Sequence, residues 1–94
     1  MARVVWSVVA RDDLKALVDY IKADSPGYAR TFGLHIQQRV GQLQHFPESG
    51  RKVPEDASGT YRELLVGNYR VVYRVDNDKV TIVTLIHGAR LLIL

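Results

Sequence analysis

Charged side chains lie among apolar and β-branched ones in two neighbouring segments of this chain, 61–66 and 69–75, which we interpret as β-strands. A period of two is typical of β-strands and places successive side chains on opposite faces. Glutamate can take up and return a proton, and arginine binds phosphate or carboxylate through paired hydrogen bonds. One face therefore gathers the polar residues able to do chemistry, and it consists of Tyr61, Glu63, Leu65, Arg70, Val72 and Arg74.

Two interpretations of this polar face stay open. Pairing of the two segments places Glu63 diagonal to Arg70 and Arg74, so these residues could form cross-strand ion pairs on a solvated face. Exposed pairs of this kind contribute only about 0–1 kcal/mol to stability, so stabilisation alone is a weak explanation for the charged residues on this face. The alternative is that the same side chains bind or act on a ligand.

Further cations outside this face are candidates for the same chemistry. His87 ends the last predicted strand, where its imidazole could donate a proton or satisfy a backbone group. Arg90 follows a glycine in a predicted bend and could bind a phosphate or an acidic side chain. Arg51 lies in a long loop, where solvation is the simplest interpretation, and Arg62 lies at the margin of the opposite sheet face.

Length and composition restrict the chain to one small domain. It has 94 residues, of which 47% are hydrophobic and 24% charged, and we predict a single domain over residues 1–94. The formal net charge of +3 favours acidic partners, either an acidic protein or nucleic acid. No run of like charges provides a basic tail, so any basic site must be built by the fold.

Several kinds of site and location are disfavoured. The absence of cysteine excludes disulfides, thiolate zinc sites and cysteine nucleophiles, and it agrees with a reducing cytoplasm. His35, His45 and His87 have no carboxylates at metal-ligand spacing, so we expect neither a metal nor a cofactor. No apolar segment approaches the length of a signal peptide or a membrane span. We therefore expect a cytoplasmic protein that makes no membrane contact.

Two amphipathic helices are predicted in the N-terminal half. The first covers 10–23, with Asp12 and Asp13 in its first turn, and the second begins at Ser25-Pro26. Because the link between them is short, the two helices should form an antiparallel hairpin. The apolar stripe of the second helix lies on a single face and consists of Ala29, Phe32, Ile36, Val40 and Leu43.

The C-terminal half predicts a three-stranded antiparallel meander over 61–87, with turns at 67–68 and 76–78. Its apolar face should pack on the helices and consists of Leu64, Val66, Tyr69, Val71, Tyr73 and Val75. A further short strand is predicted at 3–9. The predicted fold class is therefore α+β, an N-terminal strand and an antiparallel helical hairpin packed on one face of a small antiparallel β-sheet.

Two segments lack any periodicity. Residues 45–60 contain several prolines and glycines and should form a long irregular loop, a type of segment that often carries function. Residues 88–94 end in four apolar residues that would be costly to leave in water. They predict either a final strand or a patch that a partner covers.

The order of these motifs along the whole chain resembles the RelE/ParE superfamily of bacterial toxins. The resemblance implies the RelE/ParE-like fold and the toxin component of a type II toxin–antitoxin system. It rests on a strand, a first helix ending Tyr20-Ile21, a second helix ending Phe46-Pro47-Glu48-Ser49-Gly50-Arg51, then Tyr61-Arg62-Glu63-Leu64, Tyr69-Arg70-Val71-Val72-Tyr73-Arg74-Val75 and Ile86-His87-Gly88-Ala89-Arg90.

The superfamily has two modes of action on one fold, so the fold alone does not decide between them. RelE-like members cleave mRNA on the ribosome with cationic residues on the sheet, whereas ParE-like members poison DNA gyrase with no catalytic role known for their own residues. Leu64 stands where RelE has the second of two lysines, and the chain stops four residues after Arg90, where RelE has a helix bearing a tyrosine. The resemblance is therefore closer to ParE and implies a gyrase inhibitor that is not itself an enzyme.

Two alternatives follow from the same resemblance. In a ribosome-dependent mRNA endonuclease, Glu63 would act as the base, His87 as the acid, and Arg70 and Arg90 would bind phosphate. A degenerate, non-toxic member would only bind its antitoxin. In every case the implied partner is a cognate antitoxin that is small, acidic and partly disordered. The residues implied as antitoxin or target contacts are Arg51, Arg62, Arg70, Arg74, His87 and Arg90.

Overall fold

The computed structural model describes residues 1–93, which form a helical hairpin packed on a five-stranded sheet. The predicted α+β class is confirmed. A 3₁₀ turn, Gln42–Gln44, follows the second helix. The other elements in chain order are β1 (Arg3–Trp6), α1 (Val8–Asp24), α2 (Pro26–Gly41), β2 (Arg51–Lys52), β3 (Tyr61–Val66), β4 (Tyr69–Asp76) and β5 (Lys79–His87).

The start of α1 is determined by a side-chain cap. The Ser7 hydroxyl accepts a hydrogen bond from the Ala10 amide at 3.0 Å, so the helix begins at Val8, two residues before its predicted start. The aspartates predicted for the first turn therefore lie beyond it. Asp13 has a different role, since its carboxylate accepts the Leu85 amide at 3.1 Å and joins α1 to β5.

The apolar stripe of α2 lies at the centre of the core. The predicted stripe is buried throughout, as its spacing predicts, and it consists of Ala29, Phe32, Ile36 and Val40 in α2 and Leu43 in the 3₁₀ turn. They pack against the predicted apolar face of the sheet, where Leu64, Val66, Val71 and Tyr73 are buried and Tyr69 and Val75 are partly buried. The prediction of which side of the meander meets the helices is confirmed.

β3, β4 and β5 form the predicted antiparallel meander. Val66 lies opposite Tyr69, and the pairing continues in the predicted register to Tyr61 opposite Arg74. The two turns close through residues in the left-handed region, Gly67 with φ 57° and Asn77 with φ 55°.

The sheet is mixed rather than wholly antiparallel, with the strand order β1-β5-β4-β3-β2. β1 runs parallel to β5 at one edge, a pairing that needs a long crossover such as the helical hairpin and the meander provide. At the other edge, β2 pairs with β3 and places Arg51 opposite Glu63. The long loop predicted as irregular therefore contains a two-residue strand that brings a cation to the polar face.

The C-terminal segment forms no strand within residues 88–93. Leu91 is 82% exposed and Ile93 is 95% exposed. The prediction of a final strand is therefore wrong for the described residues, whereas a patch covered by a partner stays a prediction. Leu94 lies outside the described residues.

Candidate functional site

Glu63 and Arg70 form a buried ion pair at the centre of the polar face. Arg70 Nε donates to Glu63 Oε1 at 2.6 Å, and Arg51 Nε donates to Glu63 Oε2 at 2.6 Å. The Glu63 side chain is 0% exposed and that of Arg70 is 5% exposed, whereas Arg51 is 55% exposed. Both oxygens of the buried carboxylate are therefore engaged by arginines, one from β2 and one from β4.

A second carboxylate, Glu55, binds the outer side of the Arg70 guanidinium. Arg70 Nη1 and Nη2 donate to the two Glu55 oxygens at 2.7 Å each, the paired geometry that arginine and carboxylate favour. Nη1 also donates to the Arg90 backbone carbonyl at 3.0 Å, and the Leu92 amide donates to Glu55 Oε2 at 2.9 Å. The loop, the sheet and the C-terminal segment thus meet at one guanidinium.

The centre of the polar face is covered and not solvated. The predicted ion pair between Glu63 and Arg70 is present, but the prediction of a solvated face is wrong for both residues. The loop that carries Glu55 and the segment 88–92 lie beside them. Burial of these charges is possible because each is paired and hydrogen-bonded, since an unpaired buried charge costs several kcal/mol. With Arg51 included, two arginines face two glutamates, so the formal charge of the cluster is zero.

The cluster changes the titration of two of its members. The hydrogen bond from Arg70, assisted by the one from the Leu92 amide, lowers the pKa of Glu55 from 4.5 to about 2. The hydrogen bond to Glu55 and the adjacent charge of Glu63 raise the pKa of the Arg70 guanidinium. The Glu55–Arg70 ion pair therefore persists at neutral pH and well into the acidic range.

Acid should destabilise the protein partly through Glu55. Because its folded-state pKa is below its ordinary value, the carboxylate stabilises the fold above about pH 4.5, and this contribution is lost as the pH falls towards about 2. Glu55→Gln removes the titrating group, so the free energy of unfolding should fall less steeply over that range than in the wild type. Urea unfolding at a series of pH values measures the slope.

Glu48→Gln is the matched control for this prediction, because it makes the same charge change at an exposed carboxylate outside the cluster. A slope in Glu55→Gln that equals the wild-type slope would contradict the assignment of acid sensitivity to Glu55.

His87 and Arg90 lie beside the cluster. The His87 side chain is exposed, its Nδ1 accepts the Ala89 amide at 3.1 Å, and its ring packs edge-on against Tyr69 with 5.5 Å between centroids. Arg90 enters the cluster through its backbone carbonyl. A cleft of about 290 Å³ lies between the β3–β4 turn and the segment after β5. Its lining includes Arg51, Leu65, Tyr69, Arg70, His87 and Gly88.

Arg62 and Arg74 lie apart from the cluster. Arg62 Nη1 donates to the carbonyls of Glu48 and Gly50, at 3.2 and 2.9 Å, and so holds the turn before β2. Arg74 pairs with Asp76 at 3.0 Å on the exposed surface. The structure therefore gives these two predicted contact residues local partners and does not bring them to Arg70.

The turn that positions Arg51 depends on a close approach between Gly50 and Tyr73. The Gly50 amide donates to the Tyr73 hydroxyl at 2.8 Å, and burial raises the pKa of this phenol. A Cβ on Gly50 would lie 2.6 Å from Tyr73 Oη and 2.7 Å from the Glu63 carbonyl oxygen. Only glycine fits here without displacement of a buried neighbour, which explains the glycine that precedes Arg51.

Sequence reasoning missed the role of Glu55. It lies in a segment without periodicity, and no spacing rule relates it to Arg70, which is fifteen residues further along the chain. One weak sequence signal indicated that the loop packs on the sheet: Val53 is an apolar residue inside a polar loop. In the structure Val53 is buried. Its burial anchors the loop near the sheet.

Residues 1–93 contain neither a candidate metal site nor a membrane-spanning helix. In that range no group of three histidine or acidic side chains could hold a metal ion. No helix of the same range has the length and apolar character that a membrane crossing requires.

Comparison with known proteins identifies the family. The model of the ParE toxin of the type II toxin–antitoxin system parDE matches residues 4–92, almost the whole chain. The chain belongs to the ParE toxin family. The predicted membership of the RelE/ParE superfamily is thereby confirmed, and so is the prediction of a toxin of a type II toxin–antitoxin system.

The ParE-family chain is also similar to a RelE-named relative and to two solved complexes. Toxin RelE2 of Caulobacter vibrioides is 40% identical over 92 residues, which cover 97% of this chain and 100% of the relative. The chromosomal ParDE system from P. aeruginosa matches with a TM-score of 0.79 at 22% identity, over 93% of this chain and 96% of that one. The toxin–antitoxin complex RelBE2 from Mycobacterium tuberculosis matches with a TM-score of 0.59 at 25% identity, over 92% and 96%.

These likenesses confirm the RelE/ParE-like fold of the ParE-family chain. The relatives carry names from both branches of the superfamily, so their names do not distinguish between the two cellular targets. The geometry of the site is the remaining guide to the mode of action.

Proposed function

We propose that this protein arrests growth by binding and inhibiting DNA gyrase, and that a cognate antitoxin neutralises it. One observation carries the proposal: Glu63 and Arg70, which would be the base and a phosphate-binding residue of an RNA-cleaving member, are engaged in internal bonds. Both oxygens of Glu63 accept from arginines, and all three nitrogens of the Arg70 guanidinium donate to protein acceptors.

The chemistry of RNA cleavage conflicts with this arrangement. A general base must come within hydrogen-bond distance of the hydroxyl that it deprotonates, and Glu63 has no exposed side-chain surface. A phosphate would have to displace Glu55 before it could bind Arg70 in the same paired geometry. Inhibition by binding requires only a complementary surface, which the exposed cations and apolar residues can provide.

An acidic antitoxin suits the surface of the chain. The net charge is +3, and the C-terminal segment exposes Leu91 and Ile93. A partly disordered acidic segment that becomes ordered on binding can contact both features at once. The two solved structures that resemble this chain are described as a toxin–antitoxin system and a toxin–antitoxin complex, which supports an antitoxin as the partner here.

Gyrase inhibition is tested with the purified protein and a supercoiling assay. At a molar excess over gyrase, we expect loss of supercoiling, and in cells we expect a DNA-damage response within the period of growth arrest. Added antitoxin should restore supercoiling and serves as the control for specificity. Growth arrest with unchanged supercoiling and no damage response would contradict the proposal.

A ribosome-dependent endonuclease is the second candidate, favoured by the name of the Caulobacter relative and by the exposed ring of His87 beside the cleft. It predicts that mapping of transcript ends during expression reveals cleavage, and that His87→Ala abolishes it while the fold is kept. A third candidate, a member that only binds antitoxin, predicts continued growth when the protein is expressed alone.

A further inference from the structure

The C-terminal segment 90–93 makes two polar contacts with the cluster, at Arg70 and Glu55, and its Leu92 residue is partly buried. The Arg90 carbonyl accepts from Arg70, and the Leu92 amide donates to Glu55. The side chains of Leu91 and Ile93 point into solvent, at 82% and 95% exposure, so they contribute little apolar burial. The contact of the Leu92 amide therefore depends directly on the Glu55 carboxylate, and the contact of the Arg90 carbonyl depends on the Arg70 guanidinium that Glu55 holds.

The loop that carries Glu55 is fixed by other contacts. Val53 is buried, and its amide donates to the Tyr61 carbonyl at 3.1 Å. The Asp56 carboxylate accepts from the amides of Ser58 and Tyr61, at 3.0 and 2.8 Å. Loss of the Glu55 contacts would therefore release the C-terminal segment while the loop keeps its conformation.

The charge of the cluster also depends on Glu55. The charges of the two arginines and two glutamates sum to zero. Removal of Glu55 leaves the cluster with a formal charge of +1, and the Arg70 side chain in it is 95% buried. The two outer nitrogens of Arg70 would then lack a carboxylate and favour another anion, because arginine binds carboxylate and phosphate in the same paired geometry.

We propose that Glu55 is a latch: its carboxylate holds segment 90–93 across Arg70, and release of Glu55 frees the segment and opens Arg70 to an external anion while the sheet stays folded. In the closed form Glu55 occupies the position that the anion would take. The chain therefore has two forms of its polar face, closed and open, that differ in one ion pair and one short segment.

Limited trypsin digestion tests the latch. Arg90 is the last basic residue of the chain, and its carbonyl, which trypsin must engage to cut after it, is the one that Arg70 holds. We expect Glu55→Gln to be cut at Arg90 about tenfold faster than the wild type, the change expected when the charge-assisted hydrogen bond from the Leu92 amide to the Glu55 carboxylate is lost. Mass spectrometry identifies the product that ends at Arg90. Equal cleavage rates would overturn the proposal.

Hydrogen exchange distinguishes local opening from unfolding. In Glu55→Gln the Leu92 amide should lose protection, whereas the Val71 amide in β4 should keep it. Loss of protection at both amides would overturn the latch, because the segment would then open only with the whole domain. Glu48→Gln carries the same charge change at an exposed site and should match the wild type in both measurements.

Inorganic phosphate probes the open form. Glu55→Gln should bind phosphate more tightly than Glu48→Gln, although the two variants have the same net charge, because only the first leaves Arg70 without its outer carboxylate. Equal phosphate affinity would overturn the assignment of Arg70 as the anion site. None of these measurements involves gyrase or an antitoxin, so failure of the latch is distinguishable from failure of the proposed function.

Discussion

Replacement of Arg70 by alanine is expected to lower the free energy of unfolding by about 3–5 kcal/mol, the usual cost of removing one partner from a buried ion pair. The substitution leaves Glu63, which is 0% exposed, with Arg51 as its remaining partner, and it removes both side-chain contacts that hold Glu55. A domain of this size has a total stability of about 5–15 kcal/mol, so the loss is a large fraction of it. Urea unfolding followed by circular dichroism measures the change.

Arg74→Ala is the matched control for this prediction. Arg74 lies on the same strand and the same face, but it pairs with Asp76 at the surface with 40% of its side chain exposed. Its loss should change stability by about 0–1 kcal/mol. The double variant Glu63→Leu/Arg70→Met removes both buried charges and should recover much of the loss. An Arg70→Ala variant as stable as Arg74→Ala would contradict the structural importance of the cluster.

The expected loss of stability in Arg70→Ala affects how toxicity data are interpreted. Loss of toxicity in Arg70→Ala or Glu63→Ala would not by itself indicate a catalytic role, because reduced stability would have the same effect. His87→Ala is a better functional probe, since His87 is exposed and its side-chain hydrogen bond is a local one to Ala89.

Gly50→Ala should have the second largest effect and destabilise the protein by about 1–3 kcal/mol, the cost of inserting a methyl group into a closely packed site. The new Cβ would lie 2.6 Å from Tyr73 Oη and 2.7 Å from the Glu63 carbonyl oxygen. Tyr73 is fully buried and cannot move aside without loss of core contacts. The shift would also disturb the bond from the Gly50 amide to the Tyr73 hydroxyl. Thermal or urea unfolding measures the loss.

Gly41→Ala provides a control with the opposite expected sign. Gly41 has helical φ and ψ of −58° and −30° at the end of α2, and nothing lies within 4 Å of an added Cβ. Alanine should therefore raise stability by about 0.4–1 kcal/mol, because it restricts the unfolded chain without strain in the folded one. If both variants lost stability equally, the close approach at Gly50 would not be the cause.

The parts of the fold that are set by local periodicity could be predicted from the sequence. The stripe Ala29 to Leu43 repeats at helical spacing, and each of its members is buried in the core. The two-residue turn at 67–68 fixed the pairing of β3 and β4, so the partner of Glu63 across the sheet followed from counting. These predictions succeed because the relevant neighbours are separated by short, regular stretches of chain.

The start of α1 and the parallel pairing of β1 were harder to predict from the sequence. The Ser7 cap is a local signal, and the prediction that α1 begins at residue 10 did not take it into account. The position of β1 beside β5 depends on contacts across most of the chain length, and alternation within a four-residue strand does not specify its partner. The order of strands in a sheet is decided by the packing of the whole domain.

The sequence by itself determined that Glu63, Arg70 and Arg74 share one face of a sheet, and that this face lies opposite the helices. Only the tertiary structure decided that Glu63 and Arg70 are buried while Arg74 stays exposed. The physical reason is Glu55, whose carboxylate supplies the second negative charge that allows Arg70 to leave water. Glu55 lies in an aperiodic loop, and such a loop has no repeating sequence pattern from which its position against the sheet can be predicted. The centre of the polar face, predicted as a solvated surface, is therefore a closed ion cluster.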